Sequence, residues 1–298
     1  MNYLGEIASI ITSFTFAVNS TLFTLAGRRV GSAVVNRIRL IAAFLFLILA
    51  HFIFLGTIWP GFEEPGRWFW FGLSGVIGYV LGDAFLFQAF LWVGPRISML
   101  MMSLAPVISL AIAWVFMGEQ LSPGQLLGIL LTLLGVIWVV LEKNQRGKAE
   151  NANHLKGILF GLGGAVGQAL GFVLSKQGLE GGYSPISGNY IRMISALVVM
   201  WLVTIIQGKA AASFKAVIQD QKALLKIIGG AFSGPFLGVS LSLLALQYTT
   251  VGVASTLMAL PPVVLLPVDY FYFKERFGWG AVAGTLVALS GVAVIFLT

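Results

Sequence analysis

The chain has no cysteine, only two histidines, and charged residues at just 10% of its 298 positions. Each shortage excludes a class of chemistry. Without cysteine there are no disulfides and no thiolate metal sites. His51 and His154 lie far apart, and no HExxH-like metal pair exists. No P-loop or Walker pattern appears, which argues against nucleotide-driven work by this chain. A soluble protein carries about 25% charge. Here hydrophobic residues reach 58% and the mean hydropathy is +0.94, so the expected class is an integral membrane protein. The net charge of +7 is scattered through short loops. It is therefore a topology signal rather than a nucleic-acid-binding stripe. The first apolar run follows an uncharged Met1-Asn2-Tyr3 and is long enough to span, so it is expected to be a membrane helix and not a cleaved leader.

What the chain does have is long apolar segments in two matching sets. About 20 apolar residues cross a bilayer core as a helix. That ruler predicts spans near 4–26, 36–56, 68–92, 96–117 and 123–141, then near 156–178, 187–207, 224–247, 252–273 and 278–297. A shift of 156 positions lays Pro106 on Pro262, Glu119 on Glu275 and Gly128 on Gly284, while a shift of 153 lays Asn36-Arg37-Ile38-Arg39 on Asn189-Tyr190-Ile191-Arg192. Five crossings are an odd number, so a tandem copy sits upside down. Inverted repeats around a midplane site are a transporter architecture. The predicted fold is all-α and membrane-integral: ten transmembrane helices as two inverted five-helix repeats around a central cavity. Residues 1–141 form the first repeat, 142–153 a polar linker and 154–298 the second repeat. Arg37, Arg39 and Arg192 fall within helix starts. Of the remaining Lys and Arg, all but Arg67 and Lys176 lie in the loops after spans 1, 3, 5, 7 and 9. The positive-inside rule makes those loops cytoplasmic and puts both termini outside the cytoplasmic membrane.

The segments PVISLAIAWVFMGEQLSPGQLLGILLTLLGV and PVVLLPVDYFYFKERFGWGAVAGTLVALSGV, with NRIRLIAA, NYIRMISA and FAVNSTLF, carry a resemblance to a known family. The chain resembles the EamA-like branch of the drug/metabolite transporter superfamily over essentially its whole length. The resemblance implies a ten-helix secondary transporter for a small solute and says almost nothing about which solute. Many members of that family have termini inside, whereas the loop charges of this chain point the other way.

Asp83 is the sharpest candidate residue, well inside span 3. A mid-bilayer carboxyl costs a few kcal/mol unless paired, hydrated or protonated. It is expected to couple protons or hold a substrate ammonium, or else to hydrogen-bond a neighbouring helix as a neutral acid. Arg39 and Arg192 hold equivalent places, expected near opposite membrane faces. Each would hold an anionic group or gate a mouth of the cavity, against a plainer role snorkelling to the interface. Asn19 and Gln168, in the first helix of each repeat, are candidate cavity amides, as are Gln88 and Gln247 near the ends of spans 3 and 8. Met102 would line a pliable apolar wall. Pro106 and Pro262 break the helical ladder at matched places and are expected to serve as gating kinks. Gly124 and Gly128, with Gly280 and Gly284, form small-xxx-small strips expected to pack spans 5 and 10 closely. Asp269 reads as an interfacial acid paired with Lys274 or Arg276.

These features point to a secondary active transporter that moves a small metabolite by alternating access, in efflux coupled to protons or by exchange. No catalytic residue, metal or cofactor is expected. The expected partners are the solute, protons and lipid, in a monomer or homodimer. A receptor or scaffold would want an extramembrane domain that these loops leave no room for. An intramembrane aspartyl enzyme would want the GxGD and YD forms, which Asp83 and Asp269 lack.

Overall fold

The computed structural model describes residues 3–61, 64–117, 122–144, 151–179, 181–248, 257–272, 274 and 278–297. Every regular element among them is a helix. α1 (Leu4–Val30) and α2 (Ser32–Leu55) are separated by Gly31 alone, whose φ of 85° is open to glycine at no steric cost. α3 (Pro65–Gly75) opens on a proline, where a missing N–H costs nothing. It runs into a π-helical segment, Val76–Gly82, and then α4 (Asp83–Met102). Taken as one helix, Pro65–Met102 is 38 residues. That is roughly 57 Å if straight, almost twice a bilayer core of about 30 Å. It is not straight: Gly94 adopts φ 79° and ψ 167°, and Pro95 follows, so the axis breaks between the two.

α5 (Ala105–Met117) and α6 (Pro123–Asn144) complete the first repeat. The second contains α7 (Asn151–Leu179), α8 (Pro185–Ile206), the short α9 (Ala210–Gln219) and α10 (Gln221–Ala231). A second π-helical segment, Phe232–Gly238, leads into α11 (Val239–Tyr248). α12 (Pro261–Phe271) and α13 (Trp279–Leu297) follow. Six helices are long and apolar enough to cross a membrane, and shorter apolar helices lie at Pro123–Val139 and Trp279–Ile295. Their outer faces are apolar: Leu126, Leu130, Leu134 and Ile137 of α6 are each more than half exposed. A surface like that is stable against lipid and aggregates in water.

One expectation needs correction. Pro106 is the second residue of α5, after a turn at Ser103–Leu104, and Pro262 is the second residue of α12. Both sit in a first turn, where no donor is lost, so they start helices instead of kinking them. α6 continues to Asn144 and α7 begins at Asn151, so helix runs into both ends of the polar stretch 142–153.

The matched breaks are the two π segments. Val76 and Phe232 stand 156 positions apart, as do Gly82 and Gly238, which is the repeat offset itself. Each π segment is covered by the opposite repeat. α7 crosses the first, where a methyl on Gly167 would fall 2.5 Å from Gly82 Cα. α1 crosses the second, where a methyl on Gly238 would fall 2.7 Å from Thr15 Oγ1. α6 and α13 pair along a glycine strip: a methyl on Gly135 would fall 2.3 Å from Ala288 N, and one on Gly291 2.4 Å from Thr132 N. Backbones that close gain van der Waals contact, which is the main attraction between helices in lipid. At one end, Asp220 caps α10 by accepting from Ala223 N and is paired with Arg29 at the end of α1. That guanidinium holds the Asp220 carboxyl below its ordinary range.

Candidate functional site

A cluster of buried charged and polar side chains gathers where the first π segment passes α2, α7 and α8. α2 supplies Arg39 and α4 supplies Asp83, whose Oδ2 lies 2.5 Å from Arg39 Nη2. The two side chains are only 2% and 7% exposed. Arg39 Nε donates to Asn36 Oδ1, one turn back on α2, at 2.9 Å. Its Nη2 also donates to the Tyr79 carbonyl at 3.1 Å. That carbonyl is available because a π turn disturbs the regular i→i−4 ladder. Phe87 lies under the guanidinium, with its ring centre 4.7 Å from Arg39 Cζ.

A second arginine reaches the same place. Arg192 Cζ sits 4.8 Å from the Tyr79 ring centre, and Arg39 Cζ sits 5.6 Å from it. The Tyr79 hydroxyl donates to Asn189 Oδ1 at 2.7 Å, and Asn189 Nδ2 donates in turn to the Pro235 carbonyl at 2.9 Å. Tyr79 and Pro235 are equivalent positions, 156 apart, in the two π segments. Thus α2 bonds a carbonyl of the first π segment through Arg39, and α8 bonds the matching carbonyl of the second through Asn189.

The first helix of each repeat repeats this symmetry with an amide. Asn19 of α1 rests on Gly234, where a methyl would fall 2.0 Å from its Nδ2. Gln168 of α7 lies by Gly78, where a methyl would stand 3.6 Å from its Oε1. Gly78 and Gly234 are again 156 apart.

The symmetry fails in charge. Val239 stands where Asp83 would have its counterpart. Arg192 is 1% exposed, and its Nε and Nη1 have no hydrogen-bond partner. Gln168 Oε1 is likewise buried without one. Around the Tyr79 ring, the described residues bring together two cations and one carboxylate.

Among the candidates from sequence, the structure joins Asp83, Arg39, Arg192 and Gln168 and sets Asn19 on the matching glycine of the other repeat. The expected separation of Arg39 and Arg192 to opposite faces does not hold, nor does snorkelling, since both are buried at one aromatic ring. Gln88 points elsewhere, accepting from Ser32 Oγ at 2.6 Å. Met102 is partly buried between two apolar clusters. The side chains of Gln247 and Asp269, and the residues Glu119, Glu275 and Arg276, lie outside the described residues. Sequence reading missed Tyr79, Asn36 and Asn189 as site residues. The repeated Asn-x-x-Arg could have flagged both asparagines, and the glycines at 78, 82, 234 and 238 mark the π segments. Among the described residues no group of His, Asp and Glu is placed to hold a metal. The arrangement, two buried guanidinium groups and one carboxylate, suits the binding of charge.

The family model for the EamA-like transporter family matches residues 3–141 and 155–297. Among solved structures, one described only as a crystal structure of a protein superposes with a TM-score of 0.61 at 16% sequence identity, covering 96% of each chain. That likeness concerns the fold alone. No curated protein matches this sequence.

Proposed function

Because the chain belongs to the EamA-like transporter family, we propose that it is a secondary transporter carrying a small organic solute across a membrane by alternating access. The observation that carries this reading is the pair of π-helical segments at equivalent positions, each crossed by the first helix of the other repeat. Discontinuous helices at matched places are where transporters put their sites and hinges. The reading includes ten crossings in two inverted repeats. The break at Gly94 supports it, since it lets Pro65–Met102 serve as parts of two spans.

Asp83 acts as the coupling residue. Its ion pair with Arg39 ties α4 to α2. Breaking a buried pair leaves an uncompensated charge and costs about 3–5 kcal/mol. Protonating Asp83 removes one of the two charges and lets Arg39 go, so the pair opens when a proton arrives and re-forms when it leaves. Proton-coupled efflux and exchange both fit this scheme.

The test is internal pH in proteoliposomes while amino acids, nucleobases, sugars, carboxylates and cationic drugs are added, wild type beside Asp83→Asn. The expected result is a solute-dependent pH change lost in the variant. Undiminished proton movement with Asp83→Asn would remove Asp83 from coupling. Absence of counterflow for every solute would sink the transporter itself.

A further inference from the structure

We propose that Arg192, with the Gln168 amide, is the docking point for a single carboxylate group on the transported solute; this deepens the transporter reading and rests on it. Three observations converge. Arg192 is fully enclosed, yet two of its nitrogens, Nε and Nη1, donate to nothing. Leaving buried donors unsatisfied costs about 1–3 kcal/mol each, and more on a charged group. The Tyr79 ring centre lies 4.8 Å from Arg192 Cζ, and those two donors remain unused beside it.

The second observation is geometric. Nη2 of Arg192 faces backbone that carries no side chains, with a methyl on Gly78 placed 3.4 Å away and one on Gly171 3.7 Å away. Nη2 forms a fork with either Nε or Nη1, so each edge of the guanidinium can take both oxygens of a carboxylate. Gln168 Oε1 lies 3.6 Å from the same Gly78 methyl position and is also unpaired. A half-turn of that amide presents its NH2 group there instead.

The third observation is charge balance. Around Arg192 stand Tyr79 of the π segment, Gln168 of α7, Arg39 of α2 with its partner Asp83 of α4 at the same Tyr79 ring, and Asn189 of α8 on the Tyr79 hydroxyl. Arg39 takes Asp83, and the Tyr79 hydroxyl is used by Asn189. One positive charge is left over in a low-dielectric setting. A monoanion neutralises it; a dianion overshoots, and a cation adds to it. This favours a monoanion such as a carboxylate over a dianion or an ammonium.

The experiment uses formate, acetate and propionate, which are small enough to probe a head-group site whatever the rest of the solute is. The purified full chain is heated in each salt and in chloride at equal ionic strength, wild type beside Arg192→Gln, Arg192→Lys and Gln168→Leu. Carboxylates are expected to raise Tm over chloride by about 2–4 °C. The rise disappears in Arg192→Gln, shrinks in Arg192→Lys, which keeps charge but loses the fork, and shrinks in Gln168→Leu. Methylammonium gives no rise, and any rise in phosphate, which stabilises proteins generally by exclusion from their surface, is the same in Arg192→Gln as in wild type. Identical Tm in chloride and all three carboxylates would overturn the site, as would a carboxylate rise that survives Arg192→Gln. If that variant does not fold, a full wild-type response in Arg192→Lys overturns it. Carboxylate stabilisation without counterflow of any solute keeps the subsite and removes the transporter. Counterflow of neutral or cationic solutes with no carboxylate effect does the reverse.

Discussion

Arg39 and Asp83 illustrate what charge must do inside a membrane. Neither is tolerable alone at that depth, and each satisfies the other at 2.5 Å while Asn36 and the Tyr79 carbonyl take further donors. Truncating one partner strands the other, so Arg39→Gln and Asp83→Asn should each destabilise by about 3–5 kcal/mol. The double variant strands neither. Unfolding in detergent should therefore show a double variant far more stable than the sum of the singles, with a coupling of about 3 kcal/mol. Additive losses would mean that the pair contributes little and that packing of Arg39 on Phe87 dominates.

The decisive element-scale features are the two π segments and the helices laid across them. Close approach demands glycine, and two close approaches, α8 against the end of α3 just before the first π segment and α1 against the second π segment, differ in what a methyl would meet. At Gly75 it would strike the Arg192 carbonyl at 2.1 Å, which is backbone and cannot yield. At Gly234 it would strike the Asn19 amide at 2.0 Å, which is a side chain that can be shortened. Gly234→Ala should therefore unfold the chain at a temperature about 5 °C or more lower, and Asn19→Ala in the same chain should restore much of that loss. Gly75→Ala should be equally severe, with no rescue from a change in side chain. If Asn19→Ala gives no recovery, α1 does not cross the second π segment where Gly234 and Asn19 place it.

At the scale of the whole molecule, the repeats interlock: α1 lies on the second repeat's π segment, α7 on the first's, and α6 pairs with α13. Orientation in the membrane rests on the loop charges. Because the natural chain has no cysteine, single cysteines can report it. Lys209→Cys, in the loop after span 7, should react with an impermeant maleimide only from the cytoplasmic side. Trp59→Cys, in the loop after span 2, should react only from the opposite side. The reverse pattern would place the termini inside and overrule the loop charges.

Much of this molecule was legible in its sequence because membranes impose simple rules. Lipid demands long apolar helices, so composition and segment length gave the class, and the 156-position offset gave the two repeats. Asp83, Arg39 and Arg192 stood out because charge within a span is costly. What the sequence did not tell is which of these meet. The expectation that inversion would part the two arginines failed because long side chains on α2 and α8 both reach the Tyr79 ring. The prolines misled because a proline in a first turn and one in mid-helix look alike until helix ends are known. The π segments needed the fold as well: their glycines resemble any packing strip, and only the close crossing of α1 and α7 shows why the ladder is broken there. Sequence set the membrane, the repeat and the charged residues, since these follow from local composition. Tertiary structure decided the pairing of Asp83 with Arg39 and left Arg192 unpaired, since only packing fixes distances between residues far apart in the chain.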